Sequence, residues 1–92
     1  MTVDQWIKRG EEFSEQGKYS DAEEAFTAAS AIAPARPLAW YKLGAARFWQ
    51  GKYGEAEMAL RECVQLDPQN AKAWYNLGVT LGAQEKCIDG DQ

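Results

Sequence analysis

Gln16-Gly17-Lys18-Tyr19 returns unchanged, 34 residues on, as Gln50-Gly51-Lys52-Tyr53, and fades to Gln84-Glu85-Lys86-Cys87 after one more step of 34. Outward from these tetrapeptides the same offset relates Trp6, Trp40 and Trp74, then Gly10, Gly44 and Gly78, then Ala22 with Ala56 and Pro34 with Pro68. Self-similarity at a fixed period of this size marks supersecondary units that bury their apolar faces on one another. The units are 3–36, 37–70 and a partial 71–92, forming one domain over residues 1–92.

Each unit reads as two helices with the tetrapeptide as the turn. In the second, Trp40, Leu43, Gly44 and Arg47-Phe48 recur at helical spacing, and Gly51 stops the run. A new stripe follows in Ala56, Ala59, Leu60, Cys63 and Val64, closed by Asp67-Pro68, because the residue before proline is pushed out of the α region. The spacing predicts helices over 3–15, 20–32, 37–49, 54–66 and 71–84. Gly44 and Ala56 carry little or no side chain, which lets two antiparallel helices approach closely.

Composition narrows the function. Ten Lys and Arg against fourteen Asp and Glu leave a net charge of −4, which argues against nucleic acid, since that binding depends on neutralising phosphates. There is no histidine, so the Ser-His and Cys-His catalytic pairs and the Cys/His zinc sets are excluded. Two cysteines are too few for a disulfide framework, and no apolar run approaches the roughly 20 residues of a membrane span. A reducing cytoplasmic setting, no cofactor and no membrane insertion are the expectations. Cys63 reads as a buried apolar filler and Cys87 as an exposed tail residue. The acidic groups Glu11-Glu12-Glu15 and Asp21-Glu23-Glu24 read as solvated helix faces, with no loop to converge them on a metal.

A 34-residue helix-turn-helix unit with Trp at its fourth position, Leu-Gly at the seventh and eighth, Gly-x-Tyr at the turn and Asp-Pro at the end resembles the tetratricopeptide repeat (TPR). Trp40-Tyr41-Lys42-Leu43-Gly44 and Trp74-Tyr75-Asn76-Leu77-Gly78 lie close to the family pattern. Trp6-Ile7-Lys8-Arg9-Gly10 is looser, with Arg9 where Leu is usual, and Arg47 stands where an aromatic is common. The resemblance implies an all-α fold, a right-handed superhelical stack of about five helices in antiparallel pairs. It also implies that the fold is a scaffold without chemistry of its own, whose concave face holds a peptide or helix of a partner protein.

Carried over by position, the resemblance places Asp4, Ile7, Lys8, Glu11, Ser14 and Glu15 on the concave face of the first unit. Leu38, Tyr41, Lys42, Ala45, Phe48 and Trp49 follow in the second, and Lys72, Tyr75, Asn76, Val79, Gly82 and Ala83 in the third. Some family members hold the acidic C-terminal tail of a chaperone through a carboxylate clamp of Lys and Asn. Here the clamp positions carry Ile7, Glu11, Lys42, Lys72 and Asn76, of which Lys72 alone is of the expected type. What the face offers instead is an apolar and aromatic patch from Tyr41, Ala45, Phe48, Trp49, Tyr75 and Val79, with Lys42, Lys72 and Asn76 beside it. Aromatic side chains supply much of the energy at interfaces, so these nine residues are the candidate ligand-binding set.

The third unit has a first helix and no second one. Residues 85–92 read as too short and polar to cover it, which leaves the face carrying Trp74, Leu77 and Leu81 open. Helix 71–84 then serves as the cap itself, or the chain is part of a longer array, or the open edge pairs with a second copy in a homodimer.

Overall fold

The structure is a computed structural model that describes the backbone of residues 1–90 and the side chains of residues 1–85. Five helices follow one another: α1 (Val3–Glu15), α2 (Tyr19–Ile32), α3 (Pro37–Trp49), α4 (Tyr53–Leu66) and α5 (Ala71–Gly90), with no strand among the described residues. Consecutive helices pack on one another, and the chain extends 45 × 29 × 18 Å. The result is an all-α solenoid.

Local chemistry sets the helix ends. Thr2 opens α1 with a capping box: its hydroxyl accepts from the Gln5 amide at 3.2 Å while its own amide donates to the Gln5 side chain at 2.8 Å. Gly17 and Gly51 have φ of 77° and 81°, the left-handed conformation that favours glycine, and they end α1 and α3. At each, two reversed hydrogen bonds close the last turn, from Lys18 to Phe13 and Gly17 to Ser14, and again from Lys52 to Arg47 and Gly51 to Phe48. The repeated tetrapeptide is thus a helix stop. Pro37 starts α3, and the Asn70 side chain caps α5 by accepting from the Ala73 amide at 3.0 Å.

The tryptophans of the second and third units do the same work. Trp40 donates its indole N–H to the carbonyl of Pro34 at 2.8 Å, and Trp74 to that of Pro68 at 2.7 Å. Each therefore pins the loop that delivers its helix. The apolar interior is split in two. Ile7, Phe26, Ala39, Leu43 and Ala59 belong to one layer, Leu60, Cys63, Val64, Ala73 and Leu77 to the next, and Trp40 packs against both. Cys63 is buried as expected, and burial, with the nearby Asp67 charge, pushes its thiol above the ordinary cysteine value.

Three expectations need correction. α5 does not end at residue 84 but runs to Gly90, because nothing in 85–90 breaks a helix until glycine is reached. Leu77 is not on the open face: it is buried against α4, while Trp74 is 50% exposed and Leu81 only partly covered. Glu23 is not a solvated surface acid. Its carboxylate, with a side chain only 16% exposed, accepts from Gln50 at 2.8 Å, Lys52 at 3.0 Å and Arg47 at 3.1 Å. Cys87 lies outside the described side chains.

That network explains why Arg47 replaces an aromatic residue: it ties α2 to the end of α3 and also donates to the Glu55 carbonyl at 3.1 Å. The staple recurs one period later, where Gln84 donates to Glu57 at 2.7 Å beside Arg61. Burial opposes ionisation of Glu23, but the hydrogen bonds from Gln50, Lys52 and Arg47 outweigh it and hold its pKa below the ordinary 4.5. A lowered folded-state pKa means stability that is present above about 4.5 and lost as the pH falls through the folded value. Glu23→Gln should therefore cost about 1–2 kcal/mol at pH 7 and progressively less as the pH falls below the ordinary carboxylate range, a convergence that urea unfolding across a pH series would read.

The two ends of the stack differ. Ala39, Leu43 and Ala46 in α3, and Ala73, Leu77 and Thr80 in α5, are buried against the preceding helix. At the same offset α1 has Gln5, Arg9 and Glu12, all exposed, with Arg9 lying 5.8 Å above the Phe13 ring. At the other end the glycine series is informative. A Cβ on Gly10 would strike the Phe26 ring and one on Gly44 would lie 2.7 Å from Leu60 Cγ, yet Gly78 has open space on that side.

Candidate binding groove

α3 and α5 both turn one side away from α4, and the space between those sides is a pocket of about 390 Å³. Tyr41, Ala45, Phe48 and Trp49 form its α3 wall, Tyr75, Asn76, Val79 and Thr80 its α5 wall, and Leu60 its floor. The aromatic rings are partly ordered by each other. Phe48 meets Trp49 edge-on at 5.4 Å and leans on Tyr53 at 5.4 Å, while Trp49 stacks on Tyr19 at 6.2 Å and 24°. Phe48 is thus half interior and half wall. Trp49 is 64% exposed and Tyr75 72%, a large aromatic area left in water beside an apolar recess.

A second lobe of about 490 Å³ continues towards α1 and shares Tyr41, Ala45 and Trp49 with the first. Its other walls include Glu11, Ser14, Glu15, Tyr19 and Lys42. Lys42 is already engaged, its ammonium 2.9 Å from the Glu11 carboxylate.

The structure therefore brings seven candidate residues, Tyr41, Ala45, Phe48, Trp49, Tyr75, Asn76 and Val79, around one pocket. Lys42 faces the adjoining lobe, and Lys72 is exposed and lines neither. Ile7, expected on the concave face, is instead buried in the first layer with Phe26 and Leu43. Asp4 is held by Arg36 at 2.8 Å. Two residues lining the first pocket escaped the sequence reading. Leu60 belongs to a core stripe and gave no sign that its edge reaches the groove; Thr80 is buried, its hydroxyl donating to the Asn76 carbonyl at 2.7 Å. Among the described residues no group of three His, Cys, Asp or Glu could hold a metal ion, and no helix is long and apolar enough to cross a membrane.

Sequence profiles of the tetratricopeptide repeat match residues 7–71 and 59–90. The chain belongs to the tetratricopeptide repeat family. Among curated proteins, none matches it significantly. Solved TPR domains superpose closely. That of Sgt2 from Aspergillus fumigatus is 27% identical with a TM-score of 0.87, over 91% of this chain and 56% of that one. The chain thus spans little more than half the length of the Sgt2 structure. The first TPR of Spaghetti (RPAP3), bound to the HSP90 peptide SRMEEVD, is 25% identical with a TM-score of 0.89, over 92% of this chain and 68% of that one. The second TPR of Spaghetti, bound to the same peptide, is 27% identical with a TM-score of 0.89, over 100% of this chain and 85% of that one. The fold is that of protein-interaction modules.

Proposed function

We propose that these 92 residues form one TPR domain that binds a peptide or helix of a partner protein in the groove between α3 and α5, as a scaffold, adaptor or co-chaperone in the cytoplasm. The observation that carries this reading is the convergence of Tyr41, Phe48, Trp49, Tyr75 and Val79 on one apolar pocket beside exposed rings. The TPR neighbours that hold a chaperone peptide support the class of partner. Hydrogen–deuterium exchange on the complex captured from the native source tests it. Protection is expected on α3 and α5; protection confined to the convex helices α2 and α4 would refute the groove.

The same geometry sets this chain apart from its peptide-bound neighbours. At the clamp positions Ile7 is buried, and Glu11 occupies Lys42. Charge-assisted hydrogen bonds are worth about 1.5–3 kcal/mol each, so lacking two of them weakens an acidic tail by roughly 100-fold or more. Titration calorimetry with SRMEEVD is expected to give no measurable heat at concentrations that saturate a clamp-bearing domain.

A second reading rests on the open side of α5, where Trp74 is half exposed and Gly78 meets nothing. In it the domain pairs with a copy of itself, or docks in a larger complex, through α5. Sedimentation across a wide concentration range separates the two; a strict monomer throughout removes self-association.

A further inference from the structure

The groove has two lobes of different chemistry, and the second bears on what kind of segment it takes. The first lobe carries no charged residue. The second carries Glu11, Glu15 and Lys42. The Glu11–Lys42 pair at 2.9 Å cancels two of these charges, and Glu15 has no ion-pair partner among the described residues. Glu15 ends α1 one turn from Tyr19, whose ring stacks on the exposed Trp49. An unpaired carboxylate that lines the same lobe as two aromatic rings suits a cation, because the carboxylate and an aromatic π-face both attract positive charge. The acidic chain, with a net charge of −4, adds a long-range field of the same sign.

We infer that the second lobe takes a lysine or arginine side chain of the bound segment, while an apolar side chain fills the first. This rests on the groove being the binding site, and it specifies the ligand: a segment carrying an apolar anchor with a basic residue close by. The two lobes share Tyr41, Ala45 and Trp49, so both side chains are reached from one short stretch of backbone. Glu15 selects the sign of the charge, and Trp49 serves both lobes as a common wall.

Panning a random dodecapeptide phage library on the full chain tests this. The expected sequences pair a Leu, Ile, Phe or Trp with a Lys or Arg one to four residues away. On Glu15→Gln, an exposed position at a helix end, the basic preference should weaken while the apolar one stays; on F48A/W49A both should be lost. In fluorescence anisotropy, an enriched peptide with its basic residue changed to Gln should bind about five- to tenfold more weakly to the wild type and by a clearly smaller factor to Glu15→Gln, where only the rings remain to attract the cation. Apolar enrichment with no charge preference, or with an acidic one, overturns the cation site and leaves the groove reading intact. An absence of any enrichment, or enrichment that F48A/W49A leaves unchanged, overturns both.

Discussion

Replacing Phe48 and Trp49 together with alanine is expected to weaken partner binding by at least 100-fold while the far-ultraviolet circular dichroism stays that of the wild type. Aromatic side chains at the centre of an interface commonly cost 2 kcal/mol or more each on truncation, so two of them, even without full additivity, exceed the roughly 2.7 kcal/mol that 100-fold requires. The fold should survive because Trp49 is mostly in water, with Tyr19 and Phe48 as its ring partners. Phe48 contributes some packing through Tyr53, so a modest drop in melting temperature is expected from that half of the change. Trp49→Ala alone separates the two effects. It should remove much of the binding with little change in stability, and a double variant that still binds its partner with wild-type affinity would refute the groove.

The second large effect is a divergence between equivalent glycines. Gly44→Ala puts a methyl 2.7 Å from Leu60 Cγ, 3.0 Å from its Cδ2 and 3.4 Å from the Ala56 carbonyl, and Leu60 is fully buried. Overpacking of this kind costs about 1–3 kcal/mol, and the better helix propensity of alanine returns about 1 of it. Gly10→Ala meets the buried Phe26 ring, with two further ring atoms at 2.7 Å, and should behave likewise. Gly78→Ala meets nothing within 4 Å, so only the propensity gain remains, up to about 1 kcal/mol of added stability. At about 4–8 °C per kcal/mol for a domain of this size, Gly44→Ala and Gly78→Ala should differ in melting temperature by about 10 °C, as calorimetry can read. If Gly78→Ala destabilised the chain as much as Gly44→Ala does, its open side would have to be covered in solution.

The glycines also mark which features are legible in the amino-acid sequence alone. The offset of 34 and the Gly-Lys-Tyr turns carry the helix order, since a backbone that needs positive φ leaves glycine as its plain mark, and Gly17 and Gly51 are where it is needed. Gly78 continues the close-packing series of Gly10 and Gly44 with no neighbour to require it. The groove is legible for a different reason: repeat position determines which way a side chain points, so Tyr41, Ala45, Phe48, Trp49, Tyr75, Asn76 and Val79 can be placed together. Charged residues are less legible. Whether Glu23 faces water or Arg47 depends on contacts between residues 24 to 29 positions apart, and the engagement of Lys42 depends on Glu11 standing beside it in space. Ile7 departs from its expected place because it packs with Phe26 and Leu43 in the first layer instead of standing free on the concave face.

The unlike ends of the stack bear on stoichiometry. Filaments grow when one end of a subunit adheres to the opposite end of the next, which requires both ends to be adhesive. Gln5, Arg9 and Glu12 give the α1 end a wet, charged surface, whereas the α5 end keeps an open glycine and a half-exposed tryptophan. A contact of α5 with α5 would consume that surface on both participants and terminate at a pair, so crowding molecules joined in this way would yield a plateau in particle mass instead of fibres.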